Sequence, residues 1–299
     1  MNLFKRSRTF LALVVAAGFC SLLENHQTEI NSLGTCLFYF QKIYGDRPYD
    51  VALLGDSRTN SLHLRPLKMH IKNTVFFNLA MSDCRLNPLL LEVVSKEMAK
   101  DGKRILVFGL TPLFLTPECN VNSGNVVSIF GRSLFFRTIR SRSQIEGKFT
   151  YAGFIDGFDS TKETDKVAQH RTFRQYFNQF KNFHFNFFYF KHFVQNLKWC
   201  KRNNIKVVAY RMVSCREMDE LEDKLSGVDW NKIKQAVLDE GFVWLERPPS
   251  PLLEQIEEHC WDASHLDAEG AELFSNWLGQ ELAKLDWFKE EQQTSETEK

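Results

Sequence analysis

The hydrophobic positions of the chain form short apolar runs, separated by longer segments in which apolar residues recur every three or four positions. The apolar runs lie at residues 49–54, 74–80, 104–110, 205–210 and 242–246. Runs of this length are typical of strands buried on both faces, and the periodic segments between them are typical of amphipathic helices. The alternation predicts an α/β fold, a three-layer sandwich around a mostly parallel, five-stranded sheet of the flavodoxin-like kind.

Polar residues indicate where several helices begin. Asn87 followed by Pro88 predicts a helix start, with the asparagine as cap and the proline at the first helical position. Asp267 is a suitable cap for the last amphipathic helix of the domain. Further helices are predicted at about 32–44, before the first strand, and at 230–240.

Two stretches depart from the regular alternation. Aromatic residues recur at helical spacings between Phe173 and Asn203, in a chain with 27 phenylalanines, which predicts a long or broken helix. We interpret these aromatic side chains as core packing in preference to a binding platform. Residues 111–172 show no long period of either kind, so we expect an insertion over one sheet edge or over the site.

The first 25 residues have the pattern of a targeting segment. Basic residues precede an apolar stretch of about 15 residues, nearer the core of a signal peptide than the roughly 20 residues of a membrane span. A cleaved signal peptide or a retained membrane anchor would both export the rest of the chain to the periplasm or cell envelope. The alternative is a buried amino-terminal helix of a cytosolic protein. The domain is expected at residues 30–288, followed by a disordered tail at 289–299.

Composition and charge exclude several function classes. Hydrophobic residues make up 43% of the 299 residues, which is enough for a sizeable core. The 38 Lys and Arg residues balance 37 Asp and Glu residues, so the concentrated basic surface that nucleic acid requires is not expected. No glycine-rich nucleotide-binding motif is present, and we predict no cofactor. The seven cysteines are odd in number and without a C-x-x-C pair, so most are expected in the core: Cys20, Cys36, Cys84, Cys119, Cys200, Cys215 and Cys260.

Candidate chemistry begins where the first predicted strand ends. Gly55 turns the chain, and Asp56, Ser57 and Arg58 follow it directly. The simple interpretation of this turn is a helix cap, supplied by Ser57 or Asp56. The alternative is a serine nucleophile, which requires a base and an orienting acid elsewhere in the chain.

Those two groups are found in one short segment near the carboxyl terminus. Asp262 and His265 lie three positions apart, in the loop that leads into the helix capped by Asp267. Loops beyond the carboxyl ends of parallel strands gather along one edge of a sheet, so Ser57 and His265 can meet there. The histidine would then accept the serine proton, and the carboxylate would hold the imidazole ring. Backbone amides at the strand-to-helix turn could bind a developing oxyanion.

These two segments resemble the first and last motifs of the SGNH or GDSL-type serine hydrolases. The first motif corresponds to Gly-Asp-Ser at 55–57, and the last, Asp-x-x-His, corresponds to 262–265. The resemblance implies an SGNH hydrolase-like fold, with Ser57 as nucleophile, His265 as base and Asp262 as its partner. It also implies acylated carbohydrate of the envelope, or a small ester, as substrate, and hydrolysis or acyl transfer as reaction. The α/β-hydrolase elbow fits less well, because Thr59 stands where its second glycine belongs.

The two middle motifs of that family are altered here. Asp83 falls where the family has a glycine whose amide serves the oxyanion hole, and Thr111 falls near the family's asparagine. The following loop could supply a substitute from Asn120, Asn122 or Asn125. Two further polar residues are candidates for oxyanion or substrate binding. One is Asn78, for which the alternative is a structural role at a strand end. The other is Arg58, which would either steer an anionic substrate or be solvated.

Two alternatives to a serine hydrolase remain. His259, Cys260, Asp262 and His265 include suitable metal ligands, although no upstream residue completes such a site. The other alternative is a protein of the same fold that has lost turnover and binds a glycan or an envelope partner. The altered middle motifs favour the binding protein, and the complete Ser57, Asp262 and His265 set favours the enzyme.

Overall fold

The computed structural model describes four ranges of the chain: residues 48–80, 85–116, 166–181 and 184–289. Several predicted features lie outside these ranges, namely the targeting segment, the helix at 32–44, most of the insertion and the tail beyond residue 289. Within the described ranges, no helix is both long enough and apolar enough to cross a bilayer.

The described residues include five strands and nine helices that position the site. The strands are β1 (Val51–Gly55), β2 (Phe76–Asn78), β3 (Ile105–Leu110), β4 (Lys206–Arg211) and β5 (Val243–Leu245). The helices are α1 (Ser57–Asn60), α2 (Leu64–His70), α3 (Pro88–Glu97), α4 (Lys166–Lys181), α5 (Phe187–Arg202), α6 (Arg216–Leu225), α7 (Trp230–Asp239), α8 (Ser250–Glu258) and α9 (Ala268–Ala283).

The five strands form one parallel sheet in the order β2-β1-β3-β4-β5. Alternate side chains of β1 point to opposite faces, so Val51 and Leu53 lie in one core while Ala52 and Leu54 lie in the other. Helices α3, α5 and α7 pack on the second of these cores, and α2, α4, α6, α8 and α9 pack on the first. The predicted α/β fold with three layers is confirmed.

The strand order creates one switch point, between β1 and β3. The chain moves from β1 to β2 in one direction and then from β3 to β5 in the other. In sheets of this kind, ligands bind in the crevice outside the carboxyl ends of the strands at the switch point. Ser57 follows β1 directly, so the fold places it beside that crevice.

The structure confirms two predicted caps and corrects one boundary. The Asn87 side chain accepts a hydrogen bond from the Leu90 amide at 2.9 Å, and Asp267 accepts one from Gly270 at 2.9 Å. The predicted irregular stretch at 111–172 extends too far, because α4 already begins at Lys166. The helix start expected at Asp56 or Ser57 is confirmed by α1, whereas α2, α6 and α8 were missed because they lie in segments of mixed polarity.

The aromatic segment forms two helices, α4 and α5, in agreement with the broken-helix prediction. The core-packing interpretation is correct for Phe180 and Phe193, which are fully buried. It is wrong for Phe187 and Phe188, which are 78% and 60% exposed at the start of α5.

Two glycines make room for the first turn of α1. Gly55 of β1 and Gly109 of β3 are paired neighbours in the sheet. A Cβ atom built on Gly109 would lie 2.1 Å from the Thr59 hydroxyl and 3.0 Å from the Tyr210 hydroxyl. The Thr59 hydroxyl donates to the Gly109 carbonyl at 3.4 Å, so the helix rests directly on the strands. The close approach explains why the chain has glycine at these positions.

We therefore predict that Gly109→Ala destabilises the protein by about 1–3 kcal/mol, because the added methyl group overpacks this contact. The nearest clash is with Thr59, so Gly109→Ala should cost less in a Thr59→Ala background. Urea unfolding of the two single variants and the double variant measures both effects. Equal costs of Gly109→Ala in the two backgrounds would contradict the packing argument.

Candidate active site

The turn that carries Ser57 is held by Asp56. The Asp56 carboxylate caps α1 by accepting a hydrogen bond from the Arg58 amide at 3.0 Å. Its second oxygen accepts one from the Thr111 hydroxyl at 2.5 Å. Asp56 is therefore the helix cap, and Ser57 is the first residue of α1. The Ser57 hydroxyl does not cap the helix. Among the described residues, no acceptor is present for the Ser57 backbone amide.

Asp262 organises the loop between α8 and α9. One carboxylate oxygen accepts hydrogen bonds from the backbone amides of Ser264 at 2.8 Å and His265 at 2.7 Å. The loop is closed at its base, where Cys260 pairs with Leu266 in an isolated antiparallel bridge. These local bonds fix the position of His265 relative to Asp262 before any contact with the rest of the protein is considered.

The two segments meet at the carboxyl edge of the sheet. The Nε2 atom of His265 lies 2.8 Å from the Ser57 hydroxyl, although 208 positions separate the two residues. The Nδ1 atom lies 3.0 Å from each Asp262 oxygen. A carboxylate accepts hydrogen bonds only, so in the neutral ring the proton is on Nδ1 and Nε2 is left as an acceptor. In this tautomer the imidazole can accept the proton of the Ser57 hydroxyl.

The environment of Asp262 favours its charged form. The residue is 3% exposed, and burial alone would raise the pKa of its carboxyl group. Hydrogen bonding and charge from His265, together with the two backbone amides, outweigh burial and lower the pKa below its ordinary value. His265 keeps contact with solvent, because its side chain is 20% exposed. The Asp262 carboxylate is therefore sheltered from solvent, while the His265 imidazole is accessible.

Arg58 does not have either of the roles expected from the sequence. Its side chain is fully buried, and its guanidinium donates to the Glu222 carboxylate of α6 at 2.5 Å. It also lies over the Tyr176 ring, 5.3 Å from the ring centroid. Burial alone would lower the pKa of Arg58, but the charges of Glu222, Tyr176 and Asp56 raise it. Arg58 is thus neither solvated nor available to an anionic substrate.

The other predicted binding residues have structural contacts or lie outside the described ranges. Thr111 is buried, with its hydroxyl committed to Asp56. Asn78 is also buried, and its amide group donates to the carbonyl groups of Thr59, at 2.9 Å, and Leu62, at 3.2 Å. Both are therefore unavailable as oxyanion donors. Asp83, Asn120, Asn122 and Asn125 lie outside the described residues.

The alternative metal site is not assembled among the described residues. The His259 ring lies 3.4 Å from the Asp267 carboxylate and 3.6 Å from that of Glu269, neither of which belongs to the proposed ligand set. In the described part of the chain, no group of three or more His, Cys, Asp or Glu residues is arranged to hold a metal ion.

Three residues near the site were missed by the sequence analysis. The Ser264 hydroxyl lies 2.8 Å from Nδ1 of His265, and the Trp261 ring stacks on the imidazole with centroids 5.6 Å apart. The Thr172 hydroxyl donates to Asp262 at 3.2 Å. Ser264 and Trp261 could have been suspected from their place inside or beside the Asp-x-x-His motif. Nothing in the local sequence marks Thr172.

A scan against protein-family models finds no match, and a search of the curated proteins finds none either. Among solved structures, the chain is similar to a protein from Streptococcus pneumonia that is provisionally described as a platelet activating factor. The similarity has 12% identity and a TM-score of 0.39, and it covers 89% of this chain and 99% of that chain. At this identity and TM-score the likeness says nothing about function, so the function is inferred from the site itself.

The buried Arg58 yields a stability prediction. Arg58→Met leaves the Glu222 carboxylate buried without its cation, which should cost about 3–5 kcal/mol of unfolding free energy. The double variant Arg58→Met/Glu222→Leu removes both charges and should recover much of that loss. Urea unfolding measures both. A small loss in the single variant, with no recovery in the double variant, would contradict a structural ion pair.

Proposed function

We propose that the protein is a serine ester hydrolase of the SGNH or GDSL type, with Ser57 as nucleophile, His265 as base and Asp262 as the acid that orients it. One observation carries this proposal: the hydrogen-bonded chain from Asp262 through His265 to Ser57, with distances of 3.0 and 2.8 Å. Nucleophile, base and orienting acid within hydrogen-bond reach are the geometry that activates a serine hydroxyl.

The reaction follows from this geometry in two stages. The Ser57 oxygen attacks the ester carbonyl carbon while Nε2 of His265 takes the hydroxyl proton. The Asp262 carboxylate accepts the Nδ1 hydrogen bond and stabilises the imidazolium that forms. When the tetrahedral intermediate collapses, His265 returns the proton to the leaving alkoxide, and the acyl group stays on Ser57. A water molecule or a sugar hydroxyl then attacks the acyl-enzyme by the same route in reverse.

Among the described residues, the backbone amide of Ser57 is the donor best placed to stabilise the oxyanion. It belongs to the attacking residue, stands at the first position of α1, and is not engaged by a described acceptor. Amides at such a turn stabilise negative charge that develops on a carbonyl oxygen. The Thr111 and Asn78 side chains do not contribute, because their donors are used within the protein.

The substrate class is proposed from the resemblance to the family. Divergent members with altered middle motifs act on envelope polysaccharides, so we propose O-acyl groups of envelope carbohydrate as substrate, removed by hydrolysis or passed to another hydroxyl. The pattern of the first 25 residues fits this, since it would export the domain or anchor it at the membrane.

A second candidate function is a binding protein of the same fold with little or no turnover. It is favoured by the internal use of the Thr111 hydroxyl, which leaves one fewer oxyanion donor than the family normally has. Loss of a single oxyanion donor lowers kcat by about 10²–10³-fold, so this feature alone could convert an enzyme into a weak one.

The two candidates are separated by reaction with a fluorophosphonate probe and by hydrolysis of p-nitrophenyl acetate. The enzyme should be labelled at Ser57, and Ser57→Ala should abolish labelling and lower hydrolysis by at least about 10³-fold. His265→Gln should also suppress labelling, because the hydroxyl loses its base. Ser250→Ala, at an exposed serine of α8, is the matched control and should label like the wild type.

Two outcomes would contradict the hydrolase proposal. One is a folded wild-type protein that neither reacts with the probe nor hydrolyses the ester, which would support the binding protein. The other is a Ser57→Ala variant that keeps the reactivity of the wild type, which would place the reactive group elsewhere.

A further inference from the structure

Helix α4 presents one stripe of side chains to both halves of the candidate site. Gln169, Thr172 and Tyr176 are spaced three and four positions apart, so they lie on the same face of the helix. The Gln169 amide donates to the Cys260 carbonyl at 3.0 Å, and the Thr172 hydroxyl donates to Asp262 at 3.2 Å. One helix face therefore holds two points of the loop that carries the acid and the base.

The same stripe reaches the turn that carries the nucleophile. Tyr176 is buried, and its ring lies beneath the guanidinium of Arg58, the residue next to Ser57. The nucleophile turn and the Asp262 loop belong to different parts of the chain, and α4 contacts both of them. A shift of this helix would change the relative position of Ser57 and His265.

Thr172 makes the most direct of these contacts. One Asp262 oxygen is held by the backbone amides of its own loop, at 2.7 and 2.8 Å. The other oxygen receives the Thr172 hydroxyl and shares the Nδ1 proton of His265. Among the described residues, removing the hydroxyl would leave only the imidazole to hold that oxygen in place. The carboxylate plane, and with it the direction of the imidazole ring, therefore depends on a side chain from α4.

We propose that Thr172 is a positioning residue for the Asp262–His265 pair, and that α4 holds the acid loop and the nucleophile turn in register. The consequence for turnover rests on the proposed function, whereas the consequence for the Asp262 carboxylate does not. A hydrogen bond to a carboxylate favours its charged form, so loss of the Thr172 donor should raise the pKa of Asp262. In the described part of the chain, the titratable neighbours of Asp262 are His265 and the buried thiol of Cys260, both on its own loop, and α4 contributes the uncharged hydroxyl.

The test compares Thr172→Val, which keeps the shape and removes the hydroxyl, with Thr172→Ser, which keeps the hydroxyl. In Thr172→Val, p-nitrophenyl acetate hydrolysis should lose about 10-fold in kcat with little change in KM, because a charge-assisted hydrogen bond is lost. The pKa of Asp262, followed by the carbon-13 shift of its carboxyl group, should rise in Thr172→Val. Thr172→Ser should restore both the rate and the pKa.

A matched control separates positioning from general loss of stability. Thr74→Val removes a threonine hydroxyl that donates to the Lys72 carbonyl at 3.4 Å, in the loop before β2. It should change neither the pKa of Asp262 nor kcat. If Thr172→Val does not fold, Thr172→Ala provides the same comparison with a smaller side chain.

The outcomes distinguish this inference from the proposed function. Unchanged kcat and unchanged Asp262 pKa in an active, folded Thr172→Val protein would overturn the positioning role and leave the hydrolase intact. A wild-type protein without turnover would contradict the proposed hydrolase function. The positioning role of Thr172 would then be tested by the Asp262 pKa alone. A rise in that pKa for Val but not for Ser would support it, and no rise would overturn it.

Discussion

A buried carboxylate is the constraint on which the candidate site depends. Asp262 is almost completely removed from solvent, and a buried charge is stable only when its oxygens receive hydrogen bonds. Among the described residues, its donors are two amides of its own loop, the imidazole of His265 and the hydroxyls of Ser264 and Thr172. The hydrogen bonds that Asp262 accepts order the loop and hold the imidazole of His265. The Nε2 atom of that ring then faces the Ser57 hydroxyl.

The sheet supplies the second half of the arrangement. Ser57 is brought to the switch point of a parallel sheet because β1 lies inside the sheet and ends at a glycine that lets α1 approach closely. The turn is secured by Asp56 and Thr111, and the charge of Arg58 beneath it is balanced by Glu222. The side chains of Thr111 and Arg58, which the sequence analysis assigned to oxyanion or substrate binding, therefore support the turn instead. The site therefore combines an accessible base with a densely hydrogen-bonded support.

Site residues could be predicted from the sequence where they are close in the chain or where the sheet topology brings distant residues together. Asp262 and His265 could be paired because they are three positions apart, and Ser57 could be added because parallel strands end at one edge. Arg58 was misassigned, because its partner Glu222 is 164 positions away and no local pattern announces a buried ion pair. Thr172 was missed for the same reason: its role depends on how α4 crosses the loop of Asp262, which is a property of tertiary packing.

The central claim is that Asp262 holds His265 in the tautomer that leaves Nε2 free to accept the Ser57 proton. The most direct measurement is the nitrogen-15 chemical shift of the two ring nitrogens of His265 in the neutral state, assigned with a His265→Gln variant. The account predicts a protonated Nδ1 and an unprotonated Nε2. A proton on Nε2 with a bare Nδ1 would contradict it, because the imidazole could then neither accept from Ser57 nor donate to Asp262.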